Sequence, residues 1–343
     1  MKESYLYKKL KENLVQCQTC NHFCTLKEGE RGKCGVRENI KGELYALNYG
    51  KAIAVNIDPI EKKPFFHFLP GSYSYSISTV GCNLSCLFCQ NWDISQSPKL
   101  KNPILGENLP PETIVKEAKK GGSQSISYTY TEPTIFLEYA LDAMKLAKKE
   151  GLKNNWVSNG FMSKQTLDLI SPYLDAINVD LKSFSETYYR EICGARLKPV
   201  LENFKEIYKR GIHLEITTLI VSTLNESEKE FRQIANFIKK ELSPNVPWHI
   251  SRFFPAYKLD YLPPTSVESI HKAYKIGKKA GLNFVYAGNI PGNNIDGLET
   301  ESTYCSKCKK LVLGRFGFVI ETNNLTKNGK CKFCGQDLNM VMS

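Results

Sequence analysis

The chain has 343 residues, of which 42% are hydrophobic, and this size suggests one large domain with accessory segments. No apolar run reaches the roughly 18 residues that indicate a membrane helix, and the charged start MKESYLYKKLKENL lacks the apolar core of a signal peptide. We therefore expect a cytoplasmic protein without a membrane span. The net charge is +11, but no basic run is interleaved with aromatic residues, so nucleic acid is not an expected partner.

Twelve cysteines in a chain without an export signal indicate metal sites rather than disulfides. Four of them follow residues 1–16, whose spacing predicts an amphipathic helix, and they form the pattern Cys17-x2-Cys20-x3-Cys24-x9-Cys34. Four cysteine ligands fill a tetrahedron, which favours a structural zinc ion. A second iron–sulfur cluster is the competing interpretation, because cysteines alone also hold such clusters.

Residues 43–57 alternate like a pair of strands that turns at Gly50. They lead into a loop over residues 58–71 that is dense in polar and aromatic side chains. This loop is either a packed cover or part of a ligand site. Its candidate ligand-site residues are Lys62, Lys63 and His67. Residues 1–70 are thus expected to form a cysteine-rich metal-binding region and a cover.

From residue 74 onward, apolar strand patterns alternate with amphipathic helix patterns. The expected strands cover residues 74–80, 123–130, 154–159, 176–181, 213–221, 247–254 and 284–289. The expected helices lie near 111–120, 134–149, 163–170, 198–210, 225–241 and 266–280. Such repeats require a parallel sheet with right-handed crossovers, and six or seven units fall short of the eight of a complete TIM barrel. The fold class is therefore α/β, with a partial, TIM-like (β/α)6 barrel over residues 71–298.

A loop after the first barrel strand carries three cysteines at C-x3-C-x2-C spacing, Cys82, Cys86 and Cys89. Three thiolates on a short glycine-led loop can hold three irons of a four-iron cube, which usually takes four cysteines. One iron would then stay open for another ligand. A structural zinc loop is the weaker alternative, because it needs a fourth protein ligand nearby.

At these residues the sequence resembles the radical S-adenosylmethionine (SAM) superfamily. The resemblance implies a [4Fe-4S] cluster whose open iron is chelated by SAM. It also implies reductive cleavage of SAM to methionine and a 5′-deoxyadenosyl radical that abstracts hydrogen from a substrate. The positive net charge would suit an acidic electron donor such as a flavodoxin or ferredoxin, although a lysine-rich solvated surface explains it equally.

Catalytic groups of such barrels gather at the C-terminal ends of the strands, so the polar residues there are candidates. The resemblance implies that Glu132 binds the SAM amino group; the alternative is a charge at a helix N-terminus. Ser158 and Asn159 resemble the family's Thr-Asn-Gly, which reaches the SAM ribose; the alternative is a simple turn.

Asp180-Leu181-Lys182 is similar to a motif at the SAM site of pyruvate formate-lyase activating enzymes, where the Asp helps to hold a monovalent cation. Asp180 and Lys182 lie two apart on a strand end and so point the same way. The alternative for this pair is a structural ion pair. His249 and Arg252 on the sixth barrel strand are candidates for substrate contact, as is His67, and a satisfied core histidine is the competing reading.

The C-terminal segment, residues 299–343, carries paired knuckles: Cys305-x2-Cys308 and Cys331-x2-Cys334. This pattern predicts a zinc ribbon, with rubredoxin-type iron as its rival.

The order of motifs along nearly the whole chain is similar to the radical SAM member of the AmmeMemoRadiSam system, a family described as pyruvate formate-lyase activating enzyme-like. The motifs are the N-terminal cysteines, Asp-Pro-Ile-Glu-Lys-Lys-Pro at 58–64, Gln90-Asn91-Trp92, Tyr-Thr-Tyr-Thr-Glu-Pro-Thr at 128–134 and the C-terminal ribbon. The resemblance implies Memo-like and AMMECR1-like partner proteins and leaves the substrate open. A glycyl-radical-enzyme activase is one alternative, and a non-enzymatic multi-zinc scaffold or nucleic-acid adaptor is another.

Overall fold

The first fifty residues form short antiparallel strands rather than the expected N-terminal helix. The computed structural model describes residues 1–290, 292, 294–295 and 297–343. The strands of this region are β1 (Lys2–Glu3), β2 (Tyr7–Lys9), β3 (Val15–Cys17), β4 (Thr25–Leu26), β5 (Arg37–Ile40), β6 (Glu43–Ala46) and β7 (Lys51–Ala52). The helix prediction is wrong because Glu12 and Asn13 adopt left-handed backbone angles, which turn β2 back onto β3 and bury Val15.

The strands expected over residues 43–57 are present, but they do not pair with each other. β6 lies between β1 and β5, whereas β8 (Ala54–Pro59) pairs antiparallel with β9 (Tyr73–Ser78). The alternation of side chains predicted the strands, and long-range partners decided their pairing.

The central sheet confirms the predicted partial barrel. Beyond β9 and the short β10 (Glu107–Asn108), its strands are β11 (Ser125–Tyr128), β12 (Lys153–Ser158), β13 (Ala176–Asp180), β14 (His213–Ile220), β15 (Trp248–Arg252) and β16 (Val285–Gly288). Their order is β16-β15-β14-β13-β12-β11-β9-β8, and β9 and β11–β16 are all parallel. Seven parallel strands and one antiparallel edge strand thus form an open sheet, one parallel strand short of a closed TIM barrel.

Helices connect the parallel strands and cover one face of the sheet. They are α1 (Trp92–Gln96), α2 (Pro111–Lys120), α3 (Leu137–Lys149), α4 (Lys164–Ile170), α5 (Glu186–Tyr188), α6 (Leu197–Lys209), α7 (Glu228–Phe237) and α8 (Val267–Ala280). On α7 the predicted stripe is buried completely at Phe231 and Ile234, as is Ile238 just beyond its end. In the part of the chain that the structure describes, no helix has the length and apolarity to cross a membrane.

The C-terminal segment packs against the amino-terminal side of the barrel. Two short strands, β17 (Asn294–Ile295) and β18 (Leu298–Glu299), lead into this segment, and its own strands are β19 (Thr303–Tyr304), β20 (Leu311–Phe316) and β21 (Val319–Asn323). Val312 and Leu338 share a buried cluster with Phe66 and Tyr286 of the barrel. The backbone N–H of Val341 donates to the carbonyl of His67 at 2.7 Å. This end of the barrel is therefore closed by protein, and the opposite end is left for a ligand.

Candidate active site

The loop that carries Cys82, Cys86 and Cys89 begins at Gly81, directly beyond β9. Gly81 has a φ of +103°, which glycine adopts at little cost, and its N–H donates to the carbonyl of Ile94 at 2.9 Å. Further on, the N–H of Ser85 donates to the carbonyl of Cys193 at 2.8 Å. The loop is thus held at both ends by backbone hydrogen bonds to neighbouring segments.

The three cysteines line one cavity of about 430 Å³ at the carboxyl ends of the strands. This volume lies within the range of about 300–1,000 Å³ that is typical of small-molecule sites. In the part of the chain that the structure describes, no fourth cysteine lines this cavity. Cys193 lies behind Cys86 and is fully buried. Three thiols beside a cavity with room for a ligand fit a cluster with one open iron.

All five predicted cofactor-binding residues line the same cavity. They are Glu132, Ser158, Asn159, Asp180 and Lys182. They stand beyond β11, at β12 and at β13, where the ends of neighbouring parallel strands meet at one edge. Because the strand ends meet at one edge of the sheet, the fold brings together residues that are up to about a hundred positions apart in the sequence.

Glu132 organises the turn beyond β12. Its Oε2 accepts the N–H of Asn159 at 2.8 Å, and its Oε1 accepts the hydroxyl of Ser158 at 2.8 Å. Oε1 also accepts the N–H and hydroxyl of Thr134, so the carboxylate caps the turn that begins at Pro133. Burial raises the pKa of Glu132. Glu132 therefore has both expected features: it is a charge at the start of a helical turn, and it lines the cavity.

Asn159 connects this turn to the cysteine loop. Its Nδ2 donates to the side-chain oxygen of Asn83 at 2.7 Å and lies 3.8 Å from Cys82 Sγ. An amide donor next to a cluster-binding sulfur is one means by which a protein tunes cluster potential.

Asp180 and Lys182 form an ion pair at the cavity wall, with Lys182 Nζ 2.8 Å from Asp180 Oδ2. Burial alone would lower the pKa of Lys182, but the negative charge of Asp180 and the nearby Cys86 thiol raise it well above its usual value. The ion pair that was the competing interpretation is present, and both of its residues line the cavity.

A second charged cluster at the cavity joins Asp58, Lys62, Lys63 and Tyr130, of which only the two lysines were predicted from the sequence. Lys63 Nζ donates to Asp58 Oδ2 at 2.5 Å and to the hydroxyl of Tyr130 at 3.2 Å, and Lys62 donates to Asp58 Oδ1 at 2.8 Å. Burial would raise the pKa of Asp58, but the hydrogen bonds from both lysines and Tyr130 hold it below its usual value. Both lysines and Tyr130 line the cavity.

Further polar residues that line the cavity were not predicted as ligand contacts, among them Asn91, Thr129 and Thr217. Asn91 and Thr129 belong to motifs that resemble the family, whereas the only sequence signal of Thr217 is its position on a barrel strand. Asn91 fixes part of the wall, since its Nδ2 donates to the carbonyl of Tyr130 at 2.8 Å.

The three residues expected to touch substrate lie outside the cavity lining. His67 is fully buried, with Nδ1 2.9 Å from the carbonyl of Leu338 and Nε2 2.7 Å from the hydroxyl of Tyr286. His249 contacts Glu215 at 2.6 Å.

Arg252 turns the other way, because its Nε donates to the carbonyl of Thr265 at 2.9 Å. Substrate contact by these residues has no support in this geometry. The two histidines are satisfied core groups, which was the competing interpretation.

The two terminal cysteine sets differ in geometry. The sulfurs of Cys305, Cys308, Cys331 and Cys334 lie within 4.8 Å of one another, which fits a single tetrahedral metal ion. Cys17, Cys20, Cys24 and Cys34 instead surround a small separate cavity.

Comparison with known proteins agrees with this site. A model described as the radical SAM superfamily matches residues 76–238. A Methanocaldococcus jannaschii protein, the uncharacterised MJ0808, is 42% identical over 343 residues, which cover 100% of both chains. The pyruvate formate-lyase-activating enzyme of Clostridium pasteurianum is 25% identical over 181 residues, which cover 49% of this chain and 72% of that enzyme.

Among solved structures, a domain of the pyruvate-formate lyase-activating enzyme from Bacteroides vulgatus matches with a TM-score of 0.42 and 20% identity, over 49% of this chain and 100% of that one. The family match covers the strand, the cysteine loop and the polar strand ends that build the cavity. This chain belongs to the radical SAM superfamily.

Proposed function

We propose that this protein holds a [4Fe-4S] cluster on Cys82, Cys86 and Cys89 and uses it to cleave SAM reductively. The observation that carries the proposal is the shared cavity, in which three thiols face polar groups from the neighbouring strand ends. When bound, the cluster would supply the electron that converts SAM to methionine and a 5′-deoxyadenosyl radical.

The chain's own residues would bind and orient SAM. Glu132 fixes the turn at Ser158 and Asn159, so that these polar groups face the cavity at a set distance from Cys82. Oε2 of Glu132 accepts one hydrogen bond within the described chain, from Asn159, and would accept a second from the SAM ammonium. Asp180 would hold a monovalent cation with Lys182 as its neighbour. Buried walls such as Leu84 and Phe88 would keep water from the reacting atoms.

In the first branch the hydrogen donor is a small molecule or a modified residue of a partner protein, and Memo-like and AMMECR1-like proteins are the proposed partners. The second branch is a glycyl-radical-enzyme activase, and the sequence likeness to an activating enzyme supports it. The charge of +11 supports docking of an acidic one-electron donor such as a flavodoxin or ferredoxin.

The test is anaerobic reconstitution with iron and sulfide, followed by SAM and dithionite. We expect brown protein that forms 5′-deoxyadenosine, and at least a 100-fold loss in Cys86→Ala, because one missing thiolate leaves the cluster with too few ligands. The matched variant Cys193→Ala removes a buried thiol that does not line the cavity, and it should keep its iron. Colourless protein that contains zinc but neither iron nor sulfide would instead support the scaffold.

To separate the two branches, labelled candidate substrates and partner proteins are added in turn. Deuterium transfer into 5′-deoxyadenosine identifies the hydrogen donor, and a glycyl radical signal on a partner selects the activase.

A further inference from the structure

The four N-terminal cysteines surround a small cavity whose dimensions do not suit a zinc ion. Cys17, Cys20, Cys24 and Cys34 all line this space of about 10 Å³, roughly the volume that one water molecule needs. Four sulfurs that each lie about 2.3 Å from a zinc ion crowd around it so closely that no water-sized space remains between them.

The spacing of the sulfurs points the same way. Among the residues that the structure describes, three or more metal-binding atoms lie within 4.8 Å of one another only in the set that contains Cys305 and Cys331. The N-terminal sulfurs are therefore spread more widely than those of the C-terminal site, and so are those of Cys82, Cys86 and Cys89. Neither the N-terminal nor the active-site set is gathered as tightly as the C-terminal set, and this looser arrangement favours a multi-iron cluster over a single ion.

The loop sequence supports this comparison. Cys17-x2-Cys20-x3-Cys24 spans the same length as Cys82-x3-Cys86-x2-Cys89, with the two spacings in reverse order. The difference is a fourth cysteine, Cys34, which lines the same cavity and closes the site.

Two buried polar groups at this cavity lack a partner. Arg37 Nε and the hydroxyl of Thr19 make no hydrogen bond within the described chain, although Arg37 is only 2% exposed and Thr19 only 1%. The other two guanidinium nitrogens of Arg37 bind Glu138 at 2.9 and 2.6 Å, which fixes the group beside the cysteines. A buried donor without a partner is costly, and an anionic cluster in the cavity would supply the acceptor.

We propose that Cys17, Cys20, Cys24 and Cys34 bind a second [4Fe-4S] cluster, with a cysteine on each iron. This cluster lies directly against the loop of the first. A Cβ on Gly81 would lie 2.9 Å from the carbonyl oxygen of Cys34, and His22 Nε2 is 2.8 Å from the carbonyl of Asn83. Because every iron has a cysteine, the second cluster has no open position for SAM.

The test uses the full chain with Cys82, Cys86 and Cys89 replaced by alanine, which leaves the N-terminal site intact. After anaerobic reconstitution we expect about four irons and four sulfides per chain. Reduction should give an electron paramagnetic resonance signal that SAM does not alter. Adding Cys20→Ala and Cys34→Ala to the same chain should remove the iron, while circular dichroism reports whether each variant is folded.

A second zinc in place of iron, one or two irons, no metal, or a signal that shifts with SAM would each overturn the proposal. The result is independent of the proposed function. If the wild type cleaves SAM while the triple variant holds no iron, the second cluster is refuted and the function stands. If the triple variant holds the cluster but the wild type does not cleave SAM, the second cluster is supported and the proposed function is refuted.

Discussion

Glu132 is a positioning residue whose carboxylate accepts four hydrogen bonds and still lies in the cavity wall. Two of these bonds come from Thr134 in the turn after Pro133, and two come from Ser158 and Asn159 at the end of β12. Hydrogen bonds to a charged acceptor are worth about 1.5–3 kcal/mol each, so this one side chain fixes the wall on which SAM would lie.

We predict that Glu132→Gln lowers the affinity for SAM by about 10- to 100-fold and leaves the iron content unchanged. The amide places an NH2 group where one carboxylate oxygen now accepts a hydrogen bond, so the backbone N–H of either Asn159 or Thr134 loses its acceptor, which costs about 1.5–3 kcal/mol. Titration of SAM into reconstituted protein measures the effect. Glu112→Gln, an exposed change of the same charge on α2, is the control; an equal loss there would contradict the prediction.

At the scale of elements, the cysteine loop and the N-terminal region are built against each other. Gly81 is the contact point: a Cβ there would lie 2.7 Å from Val36 Cγ1 and 2.9 Å from the carbonyl of Cys34. The first barrel crossover thus takes its shape from a segment nearly fifty residues earlier.

We predict that Gly81→Ala lowers the free energy of unfolding by about 2–5 kcal/mol. A left-handed alanine costs about 1–2 kcal/mol, and the crowded contact adds about 1–3 kcal/mol. Gly151→Ala is the matched control, because Gly151 has a φ of +76° and its Cβ would meet nothing within 4 Å. Denaturant unfolding of both variants measures the difference; equal losses would mean that the contact with the N-terminal region is unimportant.

At the scale of the whole molecule, the C-terminal segment closes the barrel opposite the cavity. Arg315 donates to the carbonyl of Phe66 at 2.7 Å and lies 3.5 Å from Glu61, with both charged groups fully buried. The four cysteines of this segment share a core with barrel residues, so a metal bound by them would support more than the tail.

We predict that removal of the C-terminal metal, by a chelator or by Cys331→Ser, loosens the base of the barrel as well as the ribbon. Hydrogen exchange should rise over residues 60–69 and 284–287 together with 303–341, because these segments share buried contacts. A rise confined to residues 303–341 would show that the ribbon is energetically separate.

His67 gives this interface a dependence on pH. Burial lowers the pKa of His67 to about 3, so the ring is neutral in the folded chain. Between about pH 6.5 and 3 the unfolded chain binds one more proton at this residue, so stability rises with pH and is lost on acidification. We predict that His67→Gln reduces the slope between pH 5 and 6 by about 1.4 kcal/mol per pH unit, measured by denaturant unfolding. An unchanged slope would mean that His67 is protonated in the folded chain.

The periodic spacing of apolar side chains was sufficient to predict most of the barrel's strands and helices. The strands and helices of the barrel follow from periodicity, since the side chains that face the core repeat every two or 3.6 residues. The helix predicted over residues 1–16 is wrong. The spacing of its apolar residues is compatible with a helix, but burial of Val15 in a hairpin imposes a left-handed turn at Glu12 and Asn13. Similarly, the substrate role expected for His67 failed because its partners, Leu338 and Tyr286, lie more than 200 residues away.

The sequence by itself determined the barrel, the three-cysteine loop and the strand ends that supply polar groups, because each is encoded within a few neighbouring residues. Only the tertiary structure decided that Asp58 binds Lys63 and Tyr130 at the cavity, that His249 belongs to the core, and that the four N-terminal cysteines surround a cavity of their own. These features depend on distances between segments that are remote in the chain, and such distances are fixed by packing rather than by local spacing.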